Sequence, residues 1–569
     1  MINIVLFFGS ELLIFTALMV LKKTEHSLSF VQWAGVGWIL IMCWNAFLAG
    51  ILNLIHLPNG LDAISLITIV VAGLLLLRTK EKEKQRYETD RMDWWFLIIM
   101  AGVCALFLLF YFRRSLNLRF ISVDAAVHTR FAKEFALHHR LNNNLFFSAV
   151  NDGLVMEAVL PFTGSQNIVH VFPVMRVLDL FVTGMIFYSV IAGKTESRKK
   201  IAMIVITGLY VMGYPLNTEL FGFAYYGAVN FIIALILVLT RFYDINRKYA
   251  VIGLNLGLFG LFTSYTLLVP VVYLFVFWAL LKKKSSFLEI IKVFLIPTII
   301  GMLYAYVNLK EITPSGGITN EGGKYFELYA DFILILPFMI ADGIHAFRDR
   351  KLPEYMLLEI CTFLYWLLFL CLTIGNRVSV YYFSKLYNLC WFCAFVSFTD
   401  EYMRLMEKDR SFTISFLAVD LCLIFTSVLN ITHENEQKPN ELLSNLSESV
   451  TSVYSFNYRI LKNQPYFTVE NENLLQYADR FGKHEALFCG NEVMSQWYVT
   501  FTENTDIYTG NSISQLNNRI KKNKYKYLCV IYDETGVFPN ADLLKGQKTI
   551  YSNQNGEIIQ IDGSLVPEE

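Results

Sequence analysis

Apolar runs of about 17 to 25 residues recur along most of this 569-residue chain, and each is long enough to cross the hydrocarbon layer of a bilayer as one helix. With 55% hydrophobic and 17% charged side chains, one water-soluble core cannot absorb them all. The fold class expected is therefore an α-helical polytopic membrane protein. Hydropathy places about fourteen transmembrane helices, near residues 3–21, 31–53, 62–77, 93–112, 171–193, 201–214, 228–240, 250–263, 265–281, 287–307, 331–347, 354–375, 383–399 and 411–430. The weakest break among them runs from Thr263 to Thr266.

Charge in the short connections gives an independent test, because cytoplasmic loops collect Lys and Arg. Every second connection does so: Lys22–Lys23, Arg78 to Arg86, Lys194 to Lys200, Arg241 to Lys248, Lys282 to Lys284, Arg348 to Lys351, and Arg404 to Arg410. That alternation puts the amino terminus, a long loop at 113–170, the stretches around 215–227, 308–330 and 375–383, and everything past 431 on the outer face of a cytoplasmic membrane. Span one carries Glu11 and no basic leader, so it reads as retained and not as a signal peptide.

Residues 1–430 thus form the multi-span domain. Residues 431–569 change character, with Asn, Ser, Glu and Lys between short alternating apolar runs, and read as an extracytoplasmic α/β domain. Strands are expected at Glu485–Cys489, Tyr525–Tyr532, Lys548–Ser552 and Glu557–Asp562, with helices near 472–481 and 512–522. A terminal hairpin is expected at Asn555–Gly556, a pair that tolerates the positive φ of a tight turn. The tail has no Gly-rich phosphate loop, Ser-His-Asp set or zinc spacing. Seven of the nine cysteines lie in predicted spans, so no disulfide framework is indicated, and whether Cys489 pairs with Cys529 stays open. A net charge of zero argues neither for nor against a partner, since what matters is that the charge lies in loops; no nucleic-acid partner is expected.

Chemistry is therefore sought in the outer loops, first in the 113–170 segment, which exceeds what a simple connection needs. Ser122 is placed to cap a helix running to about His139, with Asp124 in its first turn and His128 one turn on, on the same face. Phe131, Phe135 and His139 continue that stripe while Arg130, Lys133 and Arg140 fall elsewhere, a pattern suited to a membrane interface. Asp124 has two readings, a helix-start carboxylate favoured by the dipole or a catalytic carboxylate that takes a proton.

Other candidates lie at outer helix ends. Lys385, in the Tyr-rich stretch from Arg377 to Tyr387, either snorkels or meets an anion with Arg377 close by. Arg176 and Asp179 have helical pair spacing, which serves an internal ion pair or a substrate contact. Lys324 follows Gly322–Gly323 in a loop able to close over a ligand. Glu219 is flanked by Tyr214, Phe221, Phe223, Tyr225 and Tyr226, aromatic faces that stack on sugar rings or form an interfacial belt. Glu157 and Asp152 are a second carboxylate for any hard cation.

An Asp-x-x-x-His at the start of a juxtamembrane helix in a long outer loop, within a many-span chain ending in an external domain, resembles the GT-C superfamily of membrane glycosyltransferases. That resemblance implies a polyprenyl-phosphate sugar donor and a glycan, lipid or protein acceptor, with Asp124 as catalytic base or as ligand of a divalent cation, Mg²⁺ or Mn²⁺. His128 and Glu157 would complete such a cation's ligands, and Arg176, Glu219, Lys324, Arg377 and Lys385 would contact substrate. This chain departs from the pattern in two respects: the loop follows the fourth span and not the first, and Asp124 lacks a neighbouring second acid. The competing readings are a polysaccharide polymerase or ligase, which would rest on outer-loop arginines, and a transporter or flippase, which would rest on charge deep in the spans.

Overall fold

The computed structural model describes residues 2–21, 29–78, 90–120, 122–141, 145–192, 197–309, 335–375, 385–408, 452–462, 467–510, 512–532 and 547–561. The expected span at 411–430, Lys324 and its glycines, and Arg377 lie outside the described residues.

The chain opens with three apolar helices, α1 (Ile2–Leu21), α2 (Phe30–Leu54) and α3 (Leu61–Arg78). Ser29 starts α2 through a capping box with Gln32, each side chain satisfying the other's backbone N–H. Glu11 is buried against Asn45, whose amide donates to it over 3.0 Å. Next come α4 (Arg91–Phe107), which continues as a π-helical turn to Phe112, then α5 (Val123–His138) and α6 (Phe147–Asn167).

The bundle continues with α7 (Val171–Ala192), α8 (Ser197–Met212), α9 (Tyr214–Phe221), α10 (Ala224–Arg241), α11 (Arg247–Ser264), α12 (Val269–Lys282), α13 (Phe287–Leu309), α14 (Leu336–Arg348), α15 (Glu354–Ile374) and α16 (Tyr387–Lys408). Helix α10 is buried on all sides, packed between α7 and α11, as expected of a helix that is apolar all round. By contrast α4, α13 and α15 leave Phe110, Ile299 and Phe363 exposed, a surface suited to lipid.

Eight described segments are long and apolar enough to cross a membrane, and two shorter apolar helices accompany them, so the count of about fourteen is not reproduced among the described residues. The break after Thr263 is real: Tyr265 adopts an extended conformation between α11 and a 3₁₀ turn at Thr266–Leu268.

The 113–170 segment is the main departure from the hydropathy reading. It is no simple outer loop, because the first half of α6 is buried within the bundle. Polar residues hid it: Asn151 donates to the Met42 carbonyl of α2 at 3.2 Å, and Asp152 is neutralised by Arg176.

Where they are described, the loops predicted to be cytoplasmic meet at one end of the bundle. Lys199 pairs with Glu407 at 2.6 Å, Lys283 with Asp244 at 3.1 Å and Glu354 at 3.2 Å, and Arg241 donates to the Val190 carbonyl at 2.7 Å. Lys200, buried, takes both Asp90 and Asp93. Such cross-links between loops exist only if those loops share a face.

At the opposite end sits the C-terminal part. Helix α17 (Ser452–Lys462) lies on α9, where Asn457 donates to the Met212 and Gly213 carbonyls. An α/β layer follows: α18 (Val469–Ala478), β1 (Ala486–Cys489), α19 (Glu492–Thr502), β2 (Ile507–Tyr508), α20 (Ile513–Asn523), β3 (Tyr527–Ile531), β4 (Lys548–Asn553) and β5 (Gly556–Gln560).

The sheet order is β2-β1-β3-β5-β4, with the first three strands parallel and β5 antiparallel to both neighbours. In register Phe488 faces Cys529, so Cys489 points to the other face and the two thiols are free. Asn553 pairs with Gly556, which puts Gln554–Asn555 and not Asn555–Gly556 at the tip of the hairpin. Gly556 is needed for a different reason: a Cβ there would stand 2.3 Å from the Val530 carbonyl oxygen.

Candidate functional site

Ser122 begins α5, its hydroxyl accepting the Asp124 N–H at 3.0 Å, so the capping task falls to the serine and leaves the Asp124 carboxylate available. That carboxylate is half-buried on the first turn of α5. Burial raises its pKa above the ordinary carboxylate value, and the nearby positive charge of Lys385 works the other way.

Lys385 is itself buried just before α16. Its ammonium lies 4.4 Å from the Phe223 ring centroid, 5.0 Å from Tyr226 and 5.8 Å from Tyr225, and it donates to the Tyr225 hydroxyl at 3.4 Å. The Tyr226 hydroxyl donates to the Lys385 carbonyl and fixes the backbone. Tyr265 packs on both tyrosines, with ring centroids 5.5 and 5.4 Å away. The break between α11 and the following 3₁₀ turn is what brings that ring to the site.

His128, one turn beyond Asp124, is buried with its ring 4.8 Å from that of Tyr225. Burial, then the charges of Arg176 and Lys385, push its pKa down to about 3, so at neutral pH the imidazole is uncharged. Among the described residues nothing hydrogen-bonds its ring nitrogens.

Arg176 lies beneath, with 0% side-chain exposure, held by Asp152 at 2.6 Å, Asp179 at 2.8 Å and Glu219 at 3.5 Å. One guanidinium therefore ties together α6, α7 and α9. Glu219 is one of its ligands and not a surface carboxylate among aromatics: the stretch at 215–227 is helical and largely buried.

The set Asp124, His128 and Glu157 considered for Mg²⁺ or Mn²⁺ is not assembled. Glu157 binds His139 at 3.2 Å and the Leu61 N–H at 3.0 Å. His139 ends the helix that Asp124 begins, roughly 20 Å away at the helical rise. Among the described residues no three His, Cys, Asp or Glu side chains converge as a metal site.

The C-terminal layer reaches the same helix. Thr500 donates to the Ala126 carbonyl at 2.8 Å, between Asp124 and His128. Lys133, buried on α5, donates to the Thr500 and Phe501 carbonyls at 3.0 and 3.1 Å, a cation at the negative end of α19. His170 bridges the Leu116 carbonyl and Glu472. Helix α19 itself, capped by Asn491, was not expected: its Val, Thr, Trp, Tyr and Phe residues are modest helix formers, and their burial decides the matter.

Sequence reasoning singled out Asp124, His128, Lys385, Arg176 and Glu219, and the fold brings them to one end of the bundle. It missed Tyr225, Tyr226 and Tyr265 as walls around Lys385, although the tyrosine pair and the break at Tyr265 were visible signals.

Fold and site together define a multi-pass helical membrane protein with a small C-terminal sheet, in which a carboxylate and an aromatic-lined cation meet at one end of the bundle. No protein-family model matches the chain, and no curated protein matches it. Among solved structures, it is similar to ArnT from Cupriavidus metallidurans, crystallised bound to undecaprenyl phosphate, at 12% identity and a TM-score of 0.47, over 84% of this chain and 100% of that one.

Proposed function

We propose that this protein is an integral membrane glycosyltransferase that moves a sugar from a polyprenyl-phosphate donor to an acceptor on the outer face of the cytoplasmic membrane, the side of its C-terminal domain. The observation that carries the reading is a half-buried Asp124 that feels the positive charge of Lys385, whose ammonium is buried among Phe223, Tyr225 and Tyr226. A base and a buried cation in the same region of the site suit a reaction that removes a proton at one end and releases an anion at the other.

In that reaction the acceptor hydroxyl attacks the anomeric carbon as Asp124 takes its proton. The carbon–oxygen bond to phosphate breaks on the opposite side, with inversion, and the bonding pair leaves with the lipid phosphate. Lys385 holds that anion, and the aromatic walls exclude water and strengthen the contact. A single carboxylate acting as base suffices because phosphate departs as an anion and needs no acid. His128, uncharged, offers the sugar a neutral hydrogen bond. Arg176 with its three carboxylates supports the site from below and holds Glu219 away from substrate.

The test compares membranes containing wild-type and Asp124→Asn protein at matched expression, with radiolabelled polyprenyl-phosphate sugars as donors. Transfer lost by a folded variant supports Asp124 as base. Full transfer by that variant refutes the mechanism and favours the polymerase or transporter readings.

A further inference from the structure

At the end of the bundle opposite Asp124, helices α7, α8, α10, α15 and α16 line an open-mouthed cavity of about 650 Å³, within the usual size of small-molecule sites. The transfer reaction makes no use of it. One wall is apolar, formed by Val190, Met203, Val396 and Met403.

Most of its polar lining is already matched. Lys199 pairs with Glu407 at 2.6 Å, and Asp400 accepts from Arg404 at 2.9 Å. The Tyr355 hydroxyl donates to Asp342 at 3.0 Å, and the Thr399 hydroxyl to the Phe395 carbonyl at 2.7 Å.

Arg241 differs. A guanidinium carries five N–H donors, and this one spends a single bond on the Val190 carbonyl near the end of α7. Capping that helix explains the one bond. Among the described residues nothing accepts its other N–H groups, and no carboxylate lies within ion-pair distance. The cavity thus offers a fork of charged donors on one side and hydrocarbon on the other, at the end of the bundle where the Lys- and Arg-rich loops meet.

A planar, permanently charged donor fork matches the oxygens of a phosphate, and basic pockets between membrane helices suit lipid head groups. We propose that this cavity binds a phosphate-bearing lipid, with the phosphate on Arg241 and an apolar chain along Met203 and Val396. The site is separate from the Asp124 centre and does not depend on the transfer reaction.

The test uses the purified full-length protein in neutral detergent and follows thermal unfolding during titration with three probes: dioctanoyl phosphatidic acid, dioctanoylglycerol and inorganic phosphate. The phosphatidic acid is expected to bind at least tenfold more tightly than either other probe. Arg241→Gln weakens it roughly tenfold or more, as loss of a charge-assisted hydrogen bond requires, and Arg241→Lys weakens it less. Met203→Trp narrows the apolar side of the cavity where the chain would lie, leaves Arg241 on Val190, and weakens binding to a similar degree.

Inorganic phosphate binding as tightly as the lipid, and losing affinity in Arg241→Gln, supports the anion site with a soluble phosphate as its source. Phosphatidic acid binding unchanged in both Arg241→Gln and Met203→Trp overturns the proposal, as does dioctanoylglycerol binding equal to that of phosphatidic acid.

Discussion

Replacing Arg176 by methionine isolates the charge that organises the floor of the site. The side chain is 0% exposed and each of its three carboxylate partners is 2% exposed, so water cannot take over when the guanidinium goes. Removing one partner of a buried ion pair costs about 3–5 kcal/mol, because the remaining charge is left desolvated. Three acids share this arginine, and Arg176→Met is expected to fall in that range. Arg176→Lys keeps the charge but loses the fork that reaches three partners, and is expected to cost about 1–3 kcal/mol.

The control is the triple variant Arg176→Met/Asp152→Asn/Glu219→Gln, which removes two of the stranded charges at nearly constant shape and should recover more than half of the loss. Reversible unfolding by SDS in mixed micelles, followed by circular dichroism, gives the free energies. An Arg176→Met protein as stable as wild type, or a triple variant no more stable than the single one, would refute the reasoning.

Because burial raises the pKa of Asp124 above the ordinary 3.8 and a base must be ionised, kcat/KM for transfer should rise with pH through an acid limb lying above that value. Lys385→Met removes the charge that opposes the shift, so the limb should move to higher pH; a limb that stays or moves down contradicts the pairing. Lys133→Met combined with Thr500→Val loosens the hold of the C-terminal layer on α5 and should lower kcat roughly ten- to hundredfold with donor binding unchanged, while Thr500→Ser alone retains activity. Gly227→Ala places a methyl 2.1 Å from Glu219 Oε1, an oxygen of a buried carboxylate held by Arg176, and should cost about 1–3 kcal/mol in the same unfolding assay.

The docking of α19 on α5 joins residues more than 360 positions apart. Asp124 and His128 are therefore set in place by two layers: the membrane bundle below through Lys385 and Tyr225, and the sheet domain above through Thr500 and Lys133. In the proposed reaction, a substrate with a lipid tail and a polar head would meet both layers at the boundary between them.

The sequence by itself determined the elements whose signal is local. Apolar run length produced α1, α2, α10 and α13, because a helix that faces only lipid or other helices needs no polar residue and advertises itself in hydropathy. Ser122 before a periodic stripe marked the start of α5 and put Asp124 and His128 on one face, since capping and the helical repeat act within a few residues. The alternation of basic loops anticipated which connections meet at one end of the bundle.

What tertiary structure alone decided are the cases where distant groups cancel a local signal. Asn151 and Asp152 made α6 look like loop until Met42 and Arg176 satisfied them, and Glu219 looked like a surface acid until α7 brought the same arginine. The cage around Lys385 draws on residues up to 162 positions apart, from Phe223 to Lys385, and no short-range pattern encodes such a meeting. Helix α19 formed against modest propensity because burying Trp497, Tyr498 and Phe501 outweighs a preference of a few tenths of a kcal/mol per residue. Burial and charge neutralisation depend on what arrives from elsewhere in the chain, and only the folded arrangement supplies that.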